Sequence, residues 1–128
     1  MRGYYGAQLE RGFSLFDREQ WHVLEFKAFL ADHEGAMNRL TDFLELDRFG
    51  EVPELPHGMQ NKPLVPGTAP TGADIEGLLK LYREDFERFK ELSGLDVSHW
   101  PTQQLVAGTL DPDALAARFA AKVVPAQA

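Results

Sequence analysis

The sequence contains no cysteine, so disulfides, thiolate catalysis and Cys-ligated zinc or iron–sulfur centres are excluded. It has only three serines, Ser14, Ser93 and Ser98, and none stands in a G-x-S-x-G nucleophile elbow. Neither a G-x-x-x-x-G-K-[ST] phosphate loop nor a G-x-G-x-x-G turn occurs. No apolar run approaches the roughly 18 residues that cross a bilayer. The opening residues lack the apolar core of a signal peptide. Positive charge is also short: 13 Lys and Arg face 20 Asp and Glu, a net charge of −7 over 128 residues. Such a chain is poorly matched to nucleic-acid phosphates or an anionic membrane, so neither is expected as a partner. The histidines, at positions 22, 33, 57 and 99, are never three or four residues apart, so no helical metal pair exists and no metal is expected. What remains is 44% apolar and 26% charged, the composition of one globular domain, expected in the cytoplasm.

Periodicity then places the elements. Tyr5, Leu9, Phe13 and Phe16 form an apolar stripe that predicts a helix over Tyr4–Phe16, although Gly6 and Gly12 weaken it. Asp17–Gln20 reads as a polar turn. Trp21–Phe26 is aromatic and partly β-branched and predicts a strand. No second convincing strand follows, and a strand needs partners for its backbone groups. The sheet would therefore be supplied by another stretch of polypeptide. Asp32 is an N-cap for a helix running to about Leu46, with Met37, Leu40, Phe43 and Leu44 on its buried face.

Residues 47–72 carry no period and hold five of the eight prolines, which predicts a long loop. Thr71-Gly72-Ala73-Asp74 has a capping-box pattern. The following stripe, Ile75, Leu78, Leu79, Tyr82, Phe86, Phe89 and Leu92, is the strongest helical signal in the chain, and Gly94 is placed to end it. Trp100 is expected to fold back on the core. Asp111-Pro112 opens a last short helix with Leu115, Phe119 and Val123 on one face.

Bottom-up, no nucleophile, base and oxyanion donor are brought together. Asp85 could act as a base, but it reads more simply as a solvated acid on a helix face. Asn61-Lys62 offers an amide and a point charge suited to a phosphate, or else one surface lysine. Tyr5 could present a hydroxyl to a cleft, or else pack as a core aromatic.

Taken in order, the segments resemble the C-terminal part of the sulfotransferases that use 3′-phosphoadenosine 5′-phosphosulfate. Arg2-Gly3-Tyr4-Tyr5-x-x-Gln8-Leu9-Glu10-Arg11 is similar to their "RG-x-Y-x-x-Q-L-x-x-W" helix. Phe16-Asp17-Arg18-Glu19-Gln20 and the hydrophobic run to Phe26 resemble the "F-P-R-E-Q" turn and its strand. Asp32 through Asp42-Phe43-Leu44-Glu45-Leu46 resembles the "D-P…FLGL" helix. Leu81-Tyr82 through Leu92-Ser93-Gly94-Leu95-Asp96 and Trp100 resembles the family's "Y…N…L…L-x-G-x-D…W" ending. Gly12, Lys27, His33 and Glu45 depart from the pattern, and Glu84 or Asp85 stands near its usual Asn.

The resemblance implies a mostly α region with one strand, the C-terminal fragment of a parallel-sheet α/β fold related to P-loop proteins. It covers residues 1–101, leaving 102–128 as an extension with a short helix. The parent reaction moves a sulfuryl group to a hydroxyl or amine. The phosphosulfate loop and the catalytic Lys would lie upstream of Arg2, so the chain by itself is expected to lack turnover and no catalytic residue is assigned. By position, Asn61 and Lys62 would contact the nucleotide and Tyr5 would line the acceptor side. A missing N-terminal half, or a second copy, would cover the orphan strand. The alternative is a noncatalytic helical module that recruits a protein partner.

Overall fold

The computed structural model describes residues 3–54 and 65–124 and is mostly helical. Six α-helices occur among these residues: α1 (Tyr5–Leu15), α2 (Phe26–Ala31), α3 (His33–Phe43), α4 (Gly72–Ser93), α5 (Pro101–Val106) and α6 (Pro112–Ala120).

The 22-residue α4 is the axis of the fold. It begins as its sequence dictates. Thr71 Oγ1 accepts the Asp74 N–H, and the Asp74 carboxylate accepts the Thr71 N–H at 2.8 Å, a closed capping box. It ends at Gly94, whose φ of 65° is a left-handed conformation that glycine adopts without Cβ strain. One end of its apolar stripe, Phe86 and Phe89, is buried with Val97 against Leu9, Trp100 and Val106. The other end, Ile75, is buried with Leu110, Leu115 and Ala116, and Leu105 packs alongside. Burying one such Phe or Leu contributes roughly 1.5–3 kcal/mol. Thus α1 and α6 both pack on α4 and have separate clusters there.

Gly6, which weakens α1 as an isolated helix, is what lets α1 approach α4. It is buried, and a Cβ there would overlap the Asp85 carbonyl oxygen and sit 2.9 Å from the Phe89 nitrogen. The polar turn after α1 is a short 3₁₀ segment, Arg18–Gln20, closed by reciprocal Asp17 and Gln20 contacts. Asp32 caps α3 by accepting the Gly35 N–H at 3.1 Å. That helix stops at Phe43, short of Leu46, and Glu45 follows at a positive φ of 55°. Asp111 caps α6 through the N–H groups of Asp113 and Ala114, with Pro112 in the first turn. The six-residue α5 is too short to show an apolar period in the sequence.

The strand expected at Trp21–Phe26 does not form. Trp21 (φ −114°, ψ 122°) and Glu25 (φ −93°, ψ 133°) are extended, but no described segment pairs with them. Helix α2 already begins at Phe26, where Glu25 Oε2 accepts the Ala28 N–H at 2.7 Å. A local carboxylate cap redirects the backbone, and β-propensity without a ladder cannot compete with it. The strand pairing that is present lies elsewhere. Two-residue strands β1 (Val65–Pro66) and β2 (Val123–Val124) run parallel in the register Val65↔Val123.

Candidate functional site

The first and last of the segments that carry the sequence resemblance meet at the junction of α1 and α4, whereas the Asp32–Leu46 segment packs on α2. Asp85, in the middle of α4, is buried and turns its carboxylate onto the start of α1. Its Oδ2 accepts the Gly6 N–H at 2.9 Å and its Oδ1 accepts the Ala7 N–H at 2.8 Å. Helix α1 has no side-chain cap of its own at Tyr4, so Asp85 supplies one from 78 residues away in the chain. A negative charge there also faces the positive end of the helix dipole. The reading of Asp85 as a solvated helix-face acid is therefore corrected: both oxygens are committed to backbone donors inside the fold.

Aromatic rings surround this junction. Tyr4 packs on Tyr82 with ring centroids 4.9 Å apart, Tyr5 on Phe89 at 5.9 Å, and Trp100 stacks on Phe89 at 5.5 Å. Gly3, Tyr5, Tyr82, Trp100 and Thr102 edge a small cleft of about 100 Å³ over Asp85. Tyr5 is thus both a packing residue and a wall of the cleft, with about half of its surface (53%) exposed. A larger apolar cleft of about 340 Å³ lies farther along α4, between it and α5 and α6, with Leu79, Leu105 and Leu115 in its walls.

Trp100 ties the junction to the extended segment. Its Nε1–H donates to Glu25 Oε1 at 3.2 Å, and His99 Nε2, itself buried, stands 3.5 Å from the same oxygen. Burial pushes the Glu25 carboxyl up. The N–H groups of Ala28 and Lys27, the Trp100 indole and the charge of His99 outweigh burial and bring it below the usual carboxylate value. The burial of Glu25 was not anticipated from its charge. Its position next to Phe26 in an apolar run was the available signal.

Asn61 and Lys62 lie outside the described residues. Several cations within them are already engaged: Arg39 with Asp32, Arg48 with Asp42, Arg88 with Glu10 and Glu84, and Lys90 with Glu87. The Ser14 hydroxyl donates to the Arg11 carbonyl, which places it in a turn of α1. Among the described residues, no group of three His, Asp or Glu side chains could hold a metal ion. No described helix is long and apolar enough to cross a membrane. Comparisons with protein-family models, curated proteins and solved structures find no match.

Proposed function

We infer that the chain is the C-terminal region of a sulfotransferase that uses 3′-phosphoadenosine 5′-phosphosulfate. The observation that carries this reading is the meeting of the motif residues. Gly3, Tyr4 and Tyr5 of the first motif pack on Tyr82, Asp85 and Phe89 of the last. Trp100, which ends the series, binds Glu25 of the second. Residues of three of the four segments, only in order along the sequence, form one contact set in space, while the Asp32–Leu46 segment packs on α2.

In this reading Tyr5 lines the acceptor side, and Asn61 and Lys62 contact the nucleotide. The parent reaction breaks the bond between sulfur and the bridging phosphate oxygen and joins sulfur to the acceptor oxygen or nitrogen. The acceptor proton goes to a base, and transition-state charge needs fixed donors. The phosphosulfate-binding part belongs to another stretch of polypeptide, which would also cover Trp21–Glu25. The 128-residue chain alone is expected to give no turnover with any acceptor.

The test is a ¹⁵N–¹H correlation spectrum recorded with and without adenosine 3′,5′-bisphosphate. Shifts confined to α1 and the 47–72 loop support the reading. A dispersed spectrum that ignores the nucleotide, also when an N-terminal sulfotransferase half is added, refutes it. That result would favour the helical interaction module, for which the exposed Leu78, Leu81 and Phe119 provide an apolar surface.

A further inference from the structure

The small cleft at the junction of α1 and α4 is walled by rings around one acid. Tyr5, Tyr82, Phe86 and Trp100 line it together with the Asp85 carboxylate. Asp85 and Phe86 are buried and Tyr82 and Trp100 half-buried, so most of this wall is built into the fold. The Asp85 oxygens accept the Gly6 and Ala7 N–H groups, and among the described residues no cationic side chain pairs with them. A buried carboxylate is ordinarily matched by a cation.

The acid and the rings attract the same kind of guest, because the negative face of an aromatic ring also draws a cation. The cluster already holds one from outside the cleft: Lys90 Nζ lies 5.4 Å from the centroid of the Phe86 ring. The net charge of −7 draws further cations toward the chain. The cleft volume, about 100 Å³, equals about three waters at roughly 30 Å³ each, which suits a compact head group and is too small for a nucleoside. Each Asp85 oxygen already takes a backbone N–H and the remaining wall is mostly carbon, so a guest rich in N–H donors would leave some of them unsatisfied. A divalent metal is served no better, since no group of three His, Asp or Glu side chains among the described residues could hold one.

We propose that this cleft binds a fully methylated ammonium group. Such a cation has no N–H to satisfy and asks only for charge and close apolar contact. Asp85 supplies the counter-charge, and Tyr5, Tyr82, Phe86 and Trp100 supply the contact. The sulfotransferase reading gives the Tyr5 wall of the same cleft to the acceptor, but the inference rests on Asp85 and the rings and holds without that reading.

The experiment is a titration of the whole chain with tetramethylammonium chloride at constant ionic strength, followed by ¹⁵N–¹H correlation spectra. Saturable shifts are expected at the Gly6 and Ala7 amides and the Trp100 indole, with the Trp21 indole as the unmoved control. The neutral tert-butanol, similar in shape, is expected to bind about tenfold more weakly or worse. Asp85→Asn removes the charge and should weaken tetramethylammonium by about tenfold or more. If that variant fails to fold, Tyr5→Leu carries the test: its ring is half exposed, so the helical circular dichroism should persist while affinity falls about two- to fivefold. Choline and a trimethyllysine peptide distinguish the sources of the group: tighter binding of the first points to a free small molecule, of the second to a modified protein, and either supports the proposal. A peptide with unmethylated lysine that binds as tightly as its trimethylated form overturns it. So do tert-butanol binding as tightly as the cation, and shifts that avoid Gly6 and the Trp100 indole. No nucleotide is present, so a failure here leaves the sulfotransferase reading to its own test.

Discussion

Replacing Asp85 with alanine tests whether one carboxylate joins the two halves of the motif set. The side chain accepts two backbone N–H groups at 2.9 and 2.8 Å, and those donors behave differently once it is gone. Gly6 is buried, so its N–H has no access to water, whereas Ala7 is exposed and its N–H can be rehydrated. An orphaned buried donor costs about 1–3 kcal/mol, and losing the charge at the helix N-terminus adds about 0.3–1 kcal/mol. Asp85→Ala is therefore expected to lose about 1.3–4 kcal/mol, a large share of the stability of a domain this size. Asp85→Asn keeps one acceptor but turns an amide N–H₂ toward the other backbone donor, so a loss of about 1–2 kcal/mol is expected. Urea unfolding gives both values, and amide exchange should show the first turn of α1 opening before α4. A loss below about 0.5 kcal/mol for the alanine variant would place it among neutral surface substitutions and refute the cap.

Further outcomes follow from the same geometry. Gly6→Ala pushes a methyl group into the α4 backbone and is expected to cost about 1–3 kcal/mol, measured as a lowered urea midpoint. Gly77→Ala, at an open site in the middle of α4, should instead stabilise by about 0.4–1 kcal/mol; destabilisation would mean the site is not open. The Asp74 carboxyl is held below its ordinary value by the Thr71 backbone N–H and then the Thr71 hydroxyl. A depressed value means that its contribution is complete above the unfolded pKa, about 4, and is lost as pH falls through the lower folded value. Asp74→Ala should therefore lower stability at neutral pH and flatten the acid limb of a thermal-melt series recorded from pH 7 to pH 2. An unchanged acid limb would remove Asp74 from the acid response.

Much of the fold was written locally. The capping box at Thr71 and Asp74, the stop at Gly94, and the caps at Asp32 and Asp111 each bring a side-chain oxygen or a permissive φ to a nearby backbone group. Sequence spacing states such pairings directly. The apolar stripe of α4 likewise dictates a long helix and marks Ile75, Phe86 and Phe89 as core. What required the tertiary structure was every decision involving partners distant in sequence. Asp85 reads as a solvated acid until α1 crosses α4, and then its charge becomes the cap of a helix that has none. Gly6 reads as a helix weakness until the crossing makes a missing Cβ necessary. Trp21–Glu25 has the composition of a strand, but a strand is a property of two segments, and no described segment pairs with it. Propensity fixed its extended backbone, and its ends are held by local bonds, Trp21 N–H to the Arg18 carbonyl and Phe29 N–H to the Glu25 carbonyl, in place of a ladder.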